Sequence, residues 1–419
     1  RPPRSTQGVS SAASDVYKRQ INEGREVYGC TADISKAFDV CSWLFLFRDL
    51  MDRKVPFVYL RLLIFIYKEQ RCDVRWNDKF SSRFSVTNGV RQGSVVSPIL
   101  FSVYIDKLIK KLRKMSIGCT ISGIYYGILV YADDIFLLSP TREGLQTLMD
   151  ECQKFAVTRN LKFSVNENID KSKTKCIIFS KRKIKKESIV PILLDGKPLK
   201  YVEKLNHLGN MIESDNSMKI DISMKRAEFI GKVNSLNQEF YFSSPEVKSR
   251  LYEVYCCNFY SSSIWNLFGN HCDKLYKSFN VAVRIGYNLP RTTHKYFIEE
   301  LIGFPHPKIM LCSRFIKFVD TLRNSRKESV RALANQCIID KKTVLLKNMT
   351  EIAANCKVKM SELTPNEVKT KMQYCNVPQG EEWRIPLLCN LLRIKSNELS
   401  VLNFDNKEID HIIENVCTN

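Results

Sequence analysis

Hydrophobic residues recur along this chain with two different periods, and the change from one to the other divides it. In the first half, short apolar runs bounded by polar or glycine-containing turns read as strands: Val27–Ile34, Ile124–Tyr131, Ile135–Leu138, Leu161–Val165 and Cys176–Ser180. Ile189–Leu194 and Pro198–Glu203 flank Asp195-Gly196, a hairpin-turn signal. Helices interrupt these runs. Ser97-Pro98 supplies an N-cap and first-turn pair for a helix through Lys114. Ser139-Pro140 opens another, whose Leu145, Leu148, Met149, Cys152 and Phe155 fall at helical spacing and read as core beneath a sheet. A mild break at Asn206–Asn216 is the best domain boundary, and beyond it the pattern is helical. Met218–Phe240 alternates Ile220, Met224, Ala227 and Ile230 with Lys219, Lys225, Arg226 and Lys232, which predicts an amphipathic helix with one basic face. Ser244-Pro245-Glu246 opens the next, through Val254, Tyr255 and Phe259 towards Trp265, and Leu267–Asn419 is helix-rich. Strands followed by helices make an α+β chain.

The chemistry sits at the turns. Asp133 and Asp134 close Tyr131-Ala132-Asp133-Asp134, between two predicted strands, where a carboxylate pair can hold a divalent metal. An isolated Asp-Asp is commonplace on solvated turns, but a third carboxylate, Asp33, ends a strand-like run in Cys30-Thr31-Ala32-Asp33-Ile34-Ser35-Lys36-Ala37-Phe38-Asp39. Between them lies Asn88-Gly89-Val90-Arg91-Gln92-Gly93-Ser94, whose glycines permit close backbone approach. The order is carboxylate, glycine loop with helix, carboxylate pair.

With these residues the chain resembles the reverse transcriptases of non-LTR (LINE-type) retrotransposons. Asp33–Asp39 looks like the family's motif A, Gly89–Ser94 with Ser97-Pro98 like motif B, and Tyr131–Asp134 like motif C. The resemblance covers about residues 27–333 and implies a right-hand polymerase: a palm with a four-stranded antiparallel sheet and helices on one face, partial fingers, and a helical thumb. It implies an RNA-directed DNA polymerase acting on an RNA template, a DNA primer and dNTPs, with two Mg²⁺ ions (or Mn²⁺) held by Asp33 and Asp133, and Asp134 as the neighbouring carboxylate. Phe38 stands where the family places an aromatic beneath the incoming sugar. Arg91, Gln92 and Gly93 would line the substrate site, and Lys173, competing with Lys171 and Lys175, would approach the phosphates. His207-Leu208-Gly209 resembles motif E, the hairpin on which the primer rests. The implied division is a palm with partial fingers over 21–210, thumb-like helices over 211–270 and a helical region over 271–419. Two other readings keep the same residues: an inactive or domesticated nucleic-acid-binding relic, and a maturase- or telomerase-like polymerase.

Composition narrows the partners. Across 419 residues, 65 basic against 44 acidic side chains leave +21, which points to a polyanion. The run Ser180–Lys186 concentrates that charge. The 15 cysteines show no Cys-x-x-Cys pair and the five histidines no metal spacing, so the cysteines read as reduced packing residues of an intracellular protein, nuclear or cytoplasmic. Arg61 interrupts the longest apolar stretch, Val55–Tyr67, and no membrane span is expected. Arg1–Gln20 is polar, Ser-rich and unpatterned, and reads as a non-native or disordered leader; since the chain starts just before Asp33, the fingers segments upstream are expected to be missing. The sequence departs from the family at Val40-Cys41-Ser42-Trp43, which lacks the usual histidine, and at Asn166–Ser172, which is longer than usual. Oligomeric state is not legible in it.

Overall fold

Two apolar-rich strands that run back to back explain most of the first unit. In a computed structural model, β1 (Val27–Asp33) pairs antiparallel with β3 (Asp134–Ser139) on one side and with β4 (Lys175–Phe179) on the other. A hairpin adds β2 (Ile128–Tyr131) outside β3, and β5 (Tyr201–Val202) runs parallel beside β4, giving the order β5-β4-β1-β3-β2. The sheet therefore has five strands and a parallel edge, not the expected four antiparallel ones. Leu161–Val165 is no full strand either: only Phe163 bridges to Ile34, while Ser35 N–H donates to Lys162 O (2.8 Å) and Ser164 N–H to Asp33 O (2.7 Å). The structure describes residues 26–372 except 166–171, 181–188, 216, 292, 294, 296–297, 299–301 and 341–342. The leader, Lys171, most of the long segment 166–172, the basic run 181–186 and the chain from 373 onward thus lie outside the described residues.

Both faces of the sheet bury apolar side chains. Side chains alternate across a strand, so Cys30, Ala32, Ile135, Leu137 and Cys176 join a core with α1 (Trp43–Asp52), α3 (Ser97–Lys114) and α4 (Arg142–Thr158). On α3 the buried positions Leu100, Phe101, Tyr104, Ile105, Leu108 and Leu112 make the apolar stripe. On the other face Phe136 and Phe179 meet edge-on over Gly29, where an added Cβ would stand 3.1–3.2 Å from Phe179, Ile177 and Phe136. The hairpin β6 (Lys204–His207) and β7 (Asn210–Glu213) covers that face, with His207 against the Phe136 ring at 5.0 Å. Its turn carries positive φ at both Leu208 and Gly209, as Asp195-Gly196 does in its own short hairpin. Burial pushes His207 down to about 4, so it is a neutral core residue tying this hairpin to the sheet.

Two helix starts differ from expectation by a residue or two. Ser97 is the first helical residue of α3, not its cap, and its hydroxyl donates to Arg91 O at 2.6 Å. Thr141, not Ser139, caps α4 by accepting from Gly144 N–H. A buried ion pair locks α1 to the end of α4: Arg159 Nη1 and Nη2 lie 2.5 and 3.1 Å from the Asp49 carboxylate, with side-chain exposures of 6% and 3%. The Arg159 guanidinium also lies over Phe45, Tyr104 and Phe155. By contrast α2 (Phe57–Lys68) leaves Phe57, Val58, Tyr59, Leu62 and Phe65 exposed.

The chain divides at 216/217 into two compact units. In the second, α5 (Lys219–Glu239) packs on α7 (Asn270–Gly286) through Phe229 and Phe279 (6.0 Å), and α6 (Pro245–Leu251) lies between them in sequence. The buried stripe of α5 is Ile222, Phe229 and Val233, whereas Met224 and Ala227, expected on the apolar face, are exposed. The stripe is turned because Asp221 is drawn inward, where its carboxylate accepts from the buried Trp265 indole N–H at 2.7 Å. Helices α8 (Pro307–Arg323), α9 (Glu328–Ile339), α10 (Val344–Cys356) and α11 (Pro365–Lys371) follow among the described residues. Here Asn348 bridges Trp265 O and Leu267 N–H, and Arg314 and Arg284 spend their donors on the carbonyls of Cys257 and Thr293. No helix among the described residues is long and apolar enough to cross a membrane.

Removing one half of a buried ion pair strands the other charge. Asp49→Ala should lower unfolding free energy by about 3–5 kcal/mol, and Asp49→Leu with Arg159→Met by clearly less, as read by urea denaturation. Equal losses in the two proteins would show that packing, not the stranded guanidinium, sets the cost.

Candidate active site

The register of β1 on β3 fixes the carboxylates. Asp33 pairs directly with Asp134, and Tyr131 pairs with Asp134 across the β2–β3 hairpin, so Ala132 and Asp133 form a two-residue turn at its tip. Ala132 takes φ 51°, a left-handed conformation that costs a non-glycine residue energy and concentrates at functional turns. Asp33 and Asp134, as direct cross-strand partners, share the face of the sheet away from the helices. Like charges so placed repel.

Burial is the main cause that raises both carboxyls, and neighbouring carboxylates add to it. Burial raises the Asp33 carboxyl above its ordinary range; the Lys173 ammonium opposes this, and the neighbouring Asp133 adds to it. Burial also raises Asp134, reinforced by Asp133 and Asp33. Lys173 Nζ lies 4.0 Å from Asp33 Oδ2 with its side chain 74% exposed, too loose a pairing to neutralise the cluster.

The glycine loop is clamped onto the turn that follows Asp33. Gly89 N–H donates to Cys41 O (2.8 Å) and Val90 N–H to Phe38 O (2.6 Å). Gly89 has φ 88°, and a Cβ there would stand 2.7 Å from Asp39 O and 2.9 Å from Phe38 O, so only glycine fits. Trp43, part of the stretch that departs from the family, donates its indole N–H to Gly89 O at 2.7 Å. Gln92 Nε2 donates to Asp39 Oδ1 at 2.9 Å. Phe38 stacks on Phe101 of α3 (5.1 Å, 23°), which holds its ring at the floor of the site.

These contacts enclose an open pocket of about 320 Å³ lined by residues 33–38, Gln92, Asp133, Ser164 and Lys173. That is near the lower end of the roughly 300–1,000 Å³ range of small-ligand pockets. Five of the residues singled out from sequence, Asp33, Phe38, Gln92, Asp133 and Lys173, meet here from four separate stretches of chain. Arg91, Gly93 and Asp134 do not line it: Arg91 turns its carbonyl to Ser97, Gly93 is exposed with open space around it, and Asp134 lies in β3 paired with Asp33 and Tyr131. Lys36 and Ser164 were missed. Lys36 is exposed with φ 50°, Asp33 is hydrogen-bonded by Ser164, and neither carries a signal beyond its neighbours in sequence.

Among the described residues, no group of three or more His, Cys, Asp or Glu is placed to hold a metal ion. Asp33 and Asp133 on one pocket wall nevertheless suit Mg²⁺, which is commonly held by one or two carboxylates with water and substrate phosphates completing its shell. Because Asp33 and Asp134 hold protons more tightly folded than unfolded, stability falls as pH rises from the ordinary aspartate range through the raised one. Asp134→Asn should therefore melt higher than the parent at neutral pH without divalent metal, by up to about 1 kcal/mol, and converge with it in acid. Thermal melts across about pH 4 to 8 check this, and a variant that melts lower throughout would show that the cluster is held by contacts the charge does not report.

The sequence matches the reverse transcriptase (RNA-dependent DNA polymerase) family over residues 1–209. It is similar to the retrovirus-related Pol polyprotein from a type-2 retrotransposable element of Drosophila melanogaster, 29% identical over 36% of this chain and 14% of that protein. It is also similar to the Pol polyprotein from a type-1 retrotransposable element of Nasonia vitripennis, 24% identical over 51% of this chain and 21% of that one. The chain thus spans about a fifth or less of these curated relatives. Among solved structures, apo telomerase from Candida tropicalis aligns with 83% of this chain and 54% of its own, at 12% identity and a TM-score of 0.36, a likeness too low to carry an argument. Over residues 1–209 the chain belongs to the reverse transcriptase (RNA-dependent DNA polymerase) family, in its non-LTR retrotransposon branch.

Proposed function

We propose that this chain is an RNA-directed DNA polymerase that adds dNTPs to a DNA primer 3′-hydroxyl on an RNA template. The observation that carries this is the single pocket in which Asp33, Asp133, Phe38, Gln92 and Lys173 meet. Two carboxylates and a lysine ammonium lining one pocket suit a reaction that passes negative charge from a triphosphate to pyrophosphate. Asp33 and Asp133 would hold a pair of Mg²⁺ ions, which would supply Lewis-acid charge for the attacking hydroxyl and the leaving group. Asp134, outside the pocket but coupled to Asp33 and Asp133 through charge, keeps that wall negative.

Phosphoryl transfer leaves little covalent work to the protein, so positioning and electrostatics set the rate. The Phe38 ring, backed by Phe101, would lie beneath the incoming sugar, where a 2′-hydroxyl would collide with it. Gln92 offers a polar edge to the nucleotide from the glycine loop. Lys173 is held near Asp33 only loosely, which leaves its ammonium able to turn to phosphate oxygens. The thumb assignment to residues 211–270 rests on their helical content and the chain's +21 charge, which suit sequence-blind contact with a nucleic-acid backbone.

Primer extension on poly(rA)–oligo(dT) with Mg²⁺ and dTTP tests the reading. The parent should extend primer, and Asp33→Asn and Asp133→Asn should each lose at least about a thousandfold while binding the hybrid with nearly unchanged affinity. Binding without extension in the parent would instead identify a relic that keeps the fold and charge without the reaction. In the same assay Phe38→Val should raise incorporation of UTP relative to dTTP by about 10- to 100-fold; unchanged discrimination would remove Phe38 from the sugar site.

A further inference from the structure

We propose that Asp39 is a positioning residue that holds the Gln92 side chain in place against the pocket, and so sets how tightly the incoming nucleotide is bound. The inference rests on the polymerase reading above. Asp39 does not line the pocket, but Gln92 does, and the two are joined across 53 positions of sequence by the 2.9 Å bond from Gln92 Nε2 to Asp39 Oδ1. Both residues are exposed, so neither needs this bond to satisfy a buried polar group. What the bond does is remove freedom from a long side chain that faces the substrate space.

The anchor is itself rigid. Asp39 N–H donates to Lys36 O at 2.8 Å, its carbonyl lies against Gly89, and the preceding Phe38 carbonyl accepts from Val90 N–H. A carboxylate acceptor makes the stronger, charge-assisted form of the bond. It engages one Gln92 N–H and leaves the amide oxygen and the second N–H for the nucleotide or the templating pair. An unheld glutamine would lose rotamer freedom each time a nucleotide bound; one held beforehand does not. Phe38 and Asp39 are adjacent, so one turn places the ring that meets the sugar and the carboxylate that orients the amide.

The test separates the acceptor from the charge and the fold. Asp39→Asn keeps an oxygen where the carboxylate stands, and Asp39→Leu removes it. With poly(rA)–oligo(dT), Asp39→Leu should raise the KM for dTTP by about tenfold, the size of one lost hydrogen bond to a charged group, with kcat changed far less. Asp39→Asn should restore most of that loss. A KM for Asp39→Leu equal to the parent's, or an Asp39→Asn protein as impaired as Asp39→Leu, overturns the proposal. A second readout needs no turnover: the Gln92 side-chain amide resonances, identified by their loss in Gln92→Glu, should shift in Asp39→Leu and stay near the parent's in Asp39→Asn. Resonances unmoved by Asp39→Leu likewise overturn it. A parent that extends no primer sinks the polymerase reading, and the amide resonances then decide the Asp39–Gln92 link by themselves.

Discussion

The pairing of β1 with β3 is the constraint on which the site depends. A one-residue slip in that register would carry Asp33 to the helix-covered face and Cys30 and Ala32 away from it. The core prevents this, because Cys30, Ala32, Ile135, Leu137 and Cys176 are buried against the helices while Gly29, Phe136 and Phe179 interlock on the other face. Apolar burial on both sides thus holds two carboxylates opposite each other at the strand ends, an arrangement the charges alone would disfavour.

The second constraint is backbone contact between two loops far apart in sequence. Gly89 lies so close to the carbonyls of Phe38 and Asp39 that no side chain fits, and the bonds from Gly89 N–H, Val90 N–H and the Trp43 indole close the joint. Trp43, at the end of the stretch Val40–Trp43, clamps the glycine loop through its indole N–H. Loops joined in this way behave as one rigid wall, which a pocket that relies on positioning requires.

Away from the pocket, buried polar groups select which elements meet. The Asp49–Arg159 pair joins α1 to the end of α4, and in the second unit Asp221 draws one face of α5 inward to meet Trp265. Each joins partners that hydrophobic pattern alone does not distinguish. The helix α2 is the opposite case: Leu60 and Tyr67 join the core, while Phe57, Val58, Tyr59, Leu62 and Phe65 stay exposed.

Much of this was legible in the sequence. The β-period runs located β1, β3 and β4, Asp195-Gly196 marked its turn, and the order of Asp33, the glycine loop and Asp133-Asp134 identified the family, because these signals are local and a strand or turn needs only neighbouring residues to declare itself. The fifth, parallel strand, the shortening of Leu161–Val165, the helix starts at Ser97 and Arg142, and the buried face of α5 were not legible, because each is decided by a partner distant in sequence. The same holds for the site. Sequence named Asp33, Phe38, Gln92, Asp133 and Lys173; only the tertiary structure could leave Arg91, Gly93 and Asp134 outside the pocket, bring Lys36 and Ser164 into it, and join Asp39 to Gln92, since which way a side chain points is set by strand register and loop docking.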